Sequence, residues 1–316
     1  MIETNLQTTG AVRPVPPVGR TLDARLLADA RTTVWEATTP SLVPLIADYR
    51  RAVEAMPRFA SYKAFDDAAL AVQGDILRRF GGNGFAIAHA ALMIEAIQAF
   101  RENVAASGHP RAIVDEFDRT FARIVAKIAD AEWTGYDAPA DRLWKDFATA
   151  RGRLVPAAAW GLDVGAAYGR GFLLRGGPRQ FLGALRFARG NRHWVTGHLN
   201  EYEKHRFNEA GFRSMARLVA GLLETRPDLN GLFLGPSWLY SPQLAEISPR
   251  LDFHRRLALP AGARAFFSHP GGADSLALVA SETRRRAFAE GRYRPDNYIL
   301  IWRRDDLLAW VRSQPS

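Results

Sequence analysis

The stretch NEAGFRSMARLVAGLLETRPDLNGLFLGPSWLYSP, residues 208–242, decides the fold class. Asn208–Thr225 reads as a helix, and Gly231–Leu234 follows as a short apolar run of strand type. The next segment, Gly235–Pro242, carries two prolines and is unsuited to a strand interior. It therefore leaves the end of a core strand, the place where α/β folds gather their functional groups.

The same grammar continues on both sides. Strand-type runs occur at Gly171–Leu174, His193–Leu199, Ala263–Ser268 and Tyr298–Trp302, with helical patterns at Pro249–Leu259 and Asp274–Glu290. Strands alternating with helices imply a sheet covered by helices. Upstream of residue 150 the pattern is helical throughout. Leu42, Leu45, Ile46, Tyr49 and Val53 form a 3.6-period stripe behind Ser41, which suits an N-cap. Asp66–Phe80 is a second helix closed by Gly81-Gly82, and Asn83 caps a third over Gly84–Ala106. Between Phe85 and Ala99 only His89, Glu95 and Gln98 are not apolar, so that helix belongs at the centre of a bundle, with His89 hydrogen-bonded inside it and Glu95 as its expected partner. A fourth helix spans Pro110–Ala131 and a fifth begins at Asp141. The expected fold is mixed α+β: a flexible arm over 1–20, a helical domain over 21–152, and an α/β domain over 153–316 with a central mixed sheet.

Composition narrows the function. The chain has 316 residues and no cysteine, which excludes disulfides, thiolate nucleophiles and thiolate metal sites. No apolar run reaches the roughly 18–20 residues that span a bilayer, and residues 1–20 lack the pattern of a secretory signal. A cytoplasmic protein without a membrane partner is expected. The net charge is +9, yet residues 1–150 hold 17 basic and 19 acidic side chains, against 25 and 14 in residues 151–316. The basic excess lies entirely in the second half, and only four of the 42 cations are lysine. Arginine forks match phosphate or carboxylate. No nucleic-acid reader motif accompanies them, so an anionic small molecule is the expected partner.

Tyr168–Asn200 carries six arginines and no acid. At its centre Gly176-Gly177-Pro178-Arg179-Gln180 reads as a glycine turn opening a helix, with Arg175 and Arg179 as clamps on a phosphate held by backbone N–H groups. His198, Asn200 and Glu201 follow a strand and can supply a general base and its orienting partner. Read as one helix, His198, Glu201 and His205 share a face and could hold a mononuclear metal, a rival reading. Ser237, Trp238, Tyr240 and His269 lie on loops after strands and are candidate pocket residues. Gly235-Pro-Ser237-Trp-Leu239 lacks the second glycine of a serine-hydrolase elbow.

The order Gly231–Trp238, Pro249–Leu259, Ala263–Ser268, Asp274–Glu290, Tyr298–Trp302 resembles the second half of a GNAT acyltransferase, and Ser281–Gly291 is similar to that superfamily's late helix. The resemblance covers about a quarter of the chain. It implies an acyl-CoA substrate with phosphates on the Pro249 helix, where Arg250 and Arg255 sit, and acyl transfer to an amine or hydroxyl without a bound metal. Gln243–Pro249 has no glycine where the superfamily's phosphate loop has several, and Ala287 or Phe288 stands where it often has a tyrosine. A non-catalytic binder of a phosphorylated ligand or nucleic acid stays open at this point.

Overall fold

A computed structural model describes residues 22–56, 62, 65–104, 108–132, 136, 141–166, 174–190, 193–279 and 281–315. The expected arm over 1–20 and most of the strand expected at 171–174 lie outside these residues.

Five helices come first: α1 (Ala24–Ala37), α2 (Val43–Ala55), α3 (Asp67–Glu102), α4 (Arg111–Ala129) and α5 (Asp141–Ala150). Asp23 caps α1 by accepting from the Leu26 N–H, and Asp66 caps α3 by accepting from Ala69. Ser41 does not cap α2. Leu42 occupies the cap position with no side-chain bond, and the Ser41 hydroxyl faces that of Thr39 at 3.4 Å. The break expected at Gly81-Gly82 is present: Gly81 takes a φ of 64° and a ψ of −165°, so α3 consists of two helices that meet at a kink. α3 is long and apolar enough to cross a membrane by length and composition, but 61% of its apolar window is buried inside the fold. His89 lies in that buried part. It meets the Tyr49 hydroxyl (2.9 Å) and the Phe85 carbonyl (2.8 Å), and burial lowers its pKa to about 4. Glu95 is not its partner; it pairs with Arg50 on the surface.

The sheet starts with a hairpin, β1 (Leu154–Ala157) and β2 (Trp160–Ala166), closed by Ala158 at a φ of 52°. Then come α6 (Pro178–Ala188), β3 (Trp194–Leu199), a 3-10 turn over Glu201–Arg206, α7 (Glu209–Thr225) and β4 (Gly231–Ser237). After these follow α8 (Leu244–Ile247), α9 (Phe253–Ala258), β5 (Arg264–His269), α10 (Leu276–Val279), α11 (Glu282–Ala289), β6 (Asn297–Arg303) and α12 (Arg304–Ser313). The strand order is β1-β2-β3-β4-β6-β5. Only β3 and β4 pair in parallel; the other four pairings are antiparallel. The parallel crossover is therefore β3–α7–β4. The sequence resemblance had aligned β4, the Pro249 helix and β5 as its strand–helix–strand unit, but β4 and β5 are not neighbours. Both pair antiparallel with β6.

Strand register sorts side chains between two faces. Val155, Leu162, Val195, Leu232, Leu234, Leu300 and Trp302 join one apolar core that also contains Ile97, Phe117, Phe121, Phe147, Phe212 and Leu307. Helical region and sheet thus share a core across the boundary expected at residue 152. On the opposite face α6 covers Trp194, Phe233, Ile299 and Ile301.

Gly231 opens β4 at a φ of 138°, and a Cβ there would sit 2.2 Å from the Trp302 carbonyl oxygen. Gly231→Ala is expected to lower stability by about 1–3 kcal/mol, the cost of a strained backbone position. A urea midpoint equal to that of the parent protein would show that β4 and β6 can move apart there.

Candidate functional site

β3 and β4 run in parallel, and β5 runs with them because each of β4 and β5 opposes β6. Three strands therefore deliver their C-terminal ends to one edge of the sheet. β3 and β4 pair through Val195–Leu232, Thr196–Phe233 and Gly197–Leu234, and no further. Beyond that point His198-Leu199 and Gly235-Pro236 continue as separate strand ends, and the register of β4 on β6 shifts between Leu234 and Ser237. A Cβ on Gly197 would sit 2.5 Å from the Leu234 side chain, whereas one on Gly235 would meet nothing within 4 Å. The sheet face is filled beside Gly197 and free beside Gly235.

Next to this opening the non-core face of the sheet turns polar. Asp163 on β2 lies opposite Thr196 on β3, and Gly161 lies opposite His198, so Asp163, Thr196 and His198 share that face. Its flanks are closed by apolar packing: α6 on the β4–β6–β5 side, and Tyr62 with Ala148 against Leu154 on the β1 side. Thr196 is 8% exposed, and its buried hydroxyl has no hydrogen-bond partner among the described residues. Burial raises the Asp163 pKa to about 6, against the opposing pull of Arg153. The His198 ring packs on Tyr62 at a centroid distance of 4.7 Å. The Tyr62 hydroxyl donates to Asp141 at 2.9 Å, and burial together with Asp141 and Asp163 holds the phenol far above its ordinary pKa. Lys145 on α5 pairs with Asp141 and donates to the Leu199 carbonyl at 2.5 Å, tying the helical region to the end of β3.

The turn after β3 is structural. The Asn200 side chain accepts from the Tyr202 N–H at 3.1 Å, and its backbone N–H donates to the Ala159 carbonyl at 2.8 Å. Glu201 pairs with Arg142 at 2.6 Å, and His205 faces Glu203 at 3.8 Å. Asn200 and Glu201, expected as orienter and base, are both engaged in holding the turn. The metal reading of His198, Glu201 and His205 is corrected. His198 still belongs to β3, and the turn kinks at Glu203, so the helical spacing is never realised. Among the described residues no group of three or more His, Asp or Glu is placed to hold a metal.

The glycine turn does open a helix. Pro178 starts α6, and Gly177 takes a φ of 87°. Gly176 presses on the outer strand, where a Cβ would sit 2.2 Å from the Phe267 carbonyl oxygen. Arg175 and Arg179 are exposed and Gln180 is half-buried. Among the described residues neither arginine forms an ion pair. Arg175 lies close enough to His269 to add to burial in lowering the imidazole pKa. Gly176, Gly177 and the two arginines thus flank the end of β5, on the edge where β3 and β4 part. Arg250 is exposed on the Pro249 turn. Arg255 is engaged inside the fold, donating to the Tyr240 carbonyl at 2.9 Å beside Asp252, which speaks against the phosphate role expected of it.

The expected pocket residues divide. The Ser237 hydroxyl accepts from the Leu239 N–H at 3.2 Å and caps a short turn. Trp238 carries the Arg284 guanidinium 4.6 Å above its ring. Tyr240 is 5% exposed and packs beside His254, so it is core and not a pocket wall. The His269 Nδ1 lies 3.1 Å from the Ser268 hydroxyl at the end of β5. Sequence reading missed Asp163 and Thr196. Their signal was present: Trp160-Gly-Leu162-Asp163-Val164 places one acid in an otherwise apolar alternation, but it is visible only once β2 is recognised as a strand.

No protein-family model matches the sequence, and no curated protein matches it. One solved structure, an acyltransferase in complex with decanoyl-CoA, shares the fold. The match has a TM-score of 0.50, covers 91% of this chain and 90% of the other, and has 15% sequence identity.

Proposed function

We propose that this chain is an acyltransferase of GNAT type that moves an acyl group from a CoA thioester to a small-molecule acceptor. The observation that carries the reading is the parallel β3–β4 pair that parts after Gly197 and Leu234, in a fold shared with an acyltransferase over nine-tenths of the chain. An opening between two parallel strands admits a narrow thioester chain and presents strand-end backbone groups to its carbonyl. The acceptor attacks that carbonyl, a C–N or C–O bond forms, the C–S bond breaks, and the CoA sulfur leaves with a proton. The chain has no cysteine, and Ser237 is used as a cap. Direct attack by the acceptor is therefore favoured over an acyl-enzyme.

Phosphates fit the turn before α6 better than the start of α7. At α7 the first helical position is Glu209, paired with Arg213 and Arg256, and Asn208 already satisfies the Gly211 N–H. A carboxylate there repels a phosphate. The N–H groups of Arg179 and Gln180 at the start of α6, with the Arg175 and Arg179 side chains exposed beside them, form the complementary surface; Pro178 has no N–H, and that of Gly177 donates to the Leu174 carbonyl at 3.0 Å.

Decanoyl-CoA is the probe. Calorimetric titration should show binding, and a thiol-reactive dye should report CoA release once an acceptor is added, with no background from the cysteine-free protein. Arg175→Ala with Arg179→Ala should weaken binding on the order of tenfold or more, as expected for lost charge-assisted bonds. The melting temperature should barely move, since both side chains are exposed. Unchanged affinity would place the phosphates elsewhere. Tight binding with no release toward amines or alcohols would favour a non-catalytic binder.

A further inference from the structure

Beyond its first turn, the outer face of α6 takes no part in the site described above. The segment from Leu174 to Arg189 carries Arg175, Arg179, Arg186 and Arg189 and no acid. α6 turns Ala184 and Ala188 onto the sheet, over Trp194, Phe233, Ile299 and Ile301. Helical spacing then puts Pro178, Arg179, Leu182 and Arg186 together on the opposite side, and all four are exposed. Leu182 is 63% exposed, and Leu174, just before the turn, is 58% exposed. Arg186 and Arg189 follow Arg179 at about 10 and 15 Å along the helix axis, too far away to hold the same pyrophosphate. Beside them the Arg264 guanidinium lies 4.7 Å, and that of Arg303 5.7 Å, from the centre of the Phe187 ring. Arg303 pairs with Asp306 at 3.6 Å, whereas Arg186, Arg189 and Arg264 form no ion pair among the described residues.

We propose that this face of α6 rests on an anionic membrane surface, with Leu182 among the lipid headgroups and Arg186, Arg189 and Arg264 on their phosphates. Exposed like charges in a row repel one another, and an anionic surface relieves that repulsion. Each arginine brought to such a surface strengthens binding about fivefold. A leucine between arginines adds apolar area that the headgroup boundary takes up and water does not. The other polyanions fit less well. The outer side of a single helix is convex and offers no groove to an acidic peptide. Binding of single-stranded nucleic acid would call for exposed aromatic rings, but Phe181 and Phe187 pack against the core under α6, and Phe187 also carries two guanidinium groups. The expectation of no membrane partner came from the lack of a spanning segment, and a peripheral contact needs none. The contact is independent of acyl transfer.

Vesicle flotation of the full chain tests it. The protein should float with vesicles of phosphatidylcholine and phosphatidylglycerol and not with phosphatidylcholine alone, and rising salt should release it. Arg186→Gln with Arg189→Gln should weaken vesicle binding by about tenfold or more. The melting temperature of that variant should barely move, and its decanoyl-CoA affinity should stay within about twofold, because both side chains are exposed and neither stands at the turn before α6. The chain has no cysteine, so Leu182→Cys takes a single environment-sensitive dye. Its emission should shift to the blue on anionic vesicles. The same dye on Leu70→Cys, exposed on α3 across the sheet, should not respond. Equal binding to neutral vesicles, a silent dye at position 182, or an equal response at position 70 overturns the proposal. Decanoyl-CoA affinity that falls in step with vesicle binding would assign the arginines to the CoA site instead. Tighter binding to a single-stranded oligonucleotide or to polyglutamate than to the anionic vesicles would give the face to that partner and end the membrane reading.

Discussion

Asp146→Ala is expected to destabilise the protein by about 3–5 kcal/mol, the largest stability change foreseen for any substitution considered. Asp146 is 0% exposed. It accepts two bonds from Arg123, at 3.0 and 2.6 Å, and a third from the Tyr136 hydroxyl at 2.5 Å. Burial works against the Arg123 charge, and Asp146, with Tyr136 and Glu203, more than offsets it, so the guanidinium keeps a pKa above its ordinary value. Lys127 depends on the same carboxylate. Burial lowers its pKa to about 8 even with Asp146 pulling upward, and its amino group lies 3.7 Å from the centre of the Tyr136 ring. Alanine at 146 leaves a buried guanidinium without its main counter-charge, and Glu203 at 3.5 Å is a weak substitute. Replacing Arg123 and Asp146 together by apolar residues of similar volume should recover most of the loss, because the cost lies in the orphaned charge. Urea unfolding of the single and double variants measures both. A loss below about 1 kcal/mol in Asp146→Ala would mean that water reaches Arg123.

This charged layer explains part of what sequence reading could and could not find. Periodicity is local, and it located α4 well: Ile113, Phe117, Phe121, Ile124, Val125 and Ile128 are all buried. The apolar runs of β4 and β6 were equally legible, because a strand buried on both faces has few polar residues to obscure it. Ion pairs such as Arg206–Glu116, 90 positions apart, leave no local trace. The 3-10 turn at Glu201–Arg206 therefore read as a candidate site, while its charges serve to dock the sheet on α4 and α5. The β1–β2 hairpin escaped for a different reason. Pro156, Ala157-Ala158-Ala159, Gly161 and Gly165 are poor strand formers in isolation. They are held there by packing, as when Leu154 fills the space a Cβ on Gly161 would take. The polar strip was hidden along with the hairpin, because Asp163 gains its meaning only from the register that sets it opposite Thr196.

Asp163→Asn should make the protein more stable at neutral pH. The sign follows from linkage. The Asp163 pKa is about 6 in the fold, against 3.8 for an unperturbed carboxyl. The folded state therefore holds a proton that the unfolded chain has already released, and stability falls as pH rises between those two values. The penalty is absent below about pH 4 and complete above about pH 6, with an upper bound of about 3 kcal/mol. Charged and titratable groups facing Asp163 set its size: Arg153 before β1 lowers it, while Tyr62 lies close enough to feel the charge, and His198 shares the same face. Asp141 and Lys145 pair with each other at the flank. Asparagine has the same shape and no charge, so its stability should exceed that of the parent protein at pH 7.5 and converge with it near pH 4. Thermal melts of both proteins across pH 4–8 give the comparison directly. Equal melting curves at every pH would show that the Asp163 charge is already compensated in the fold.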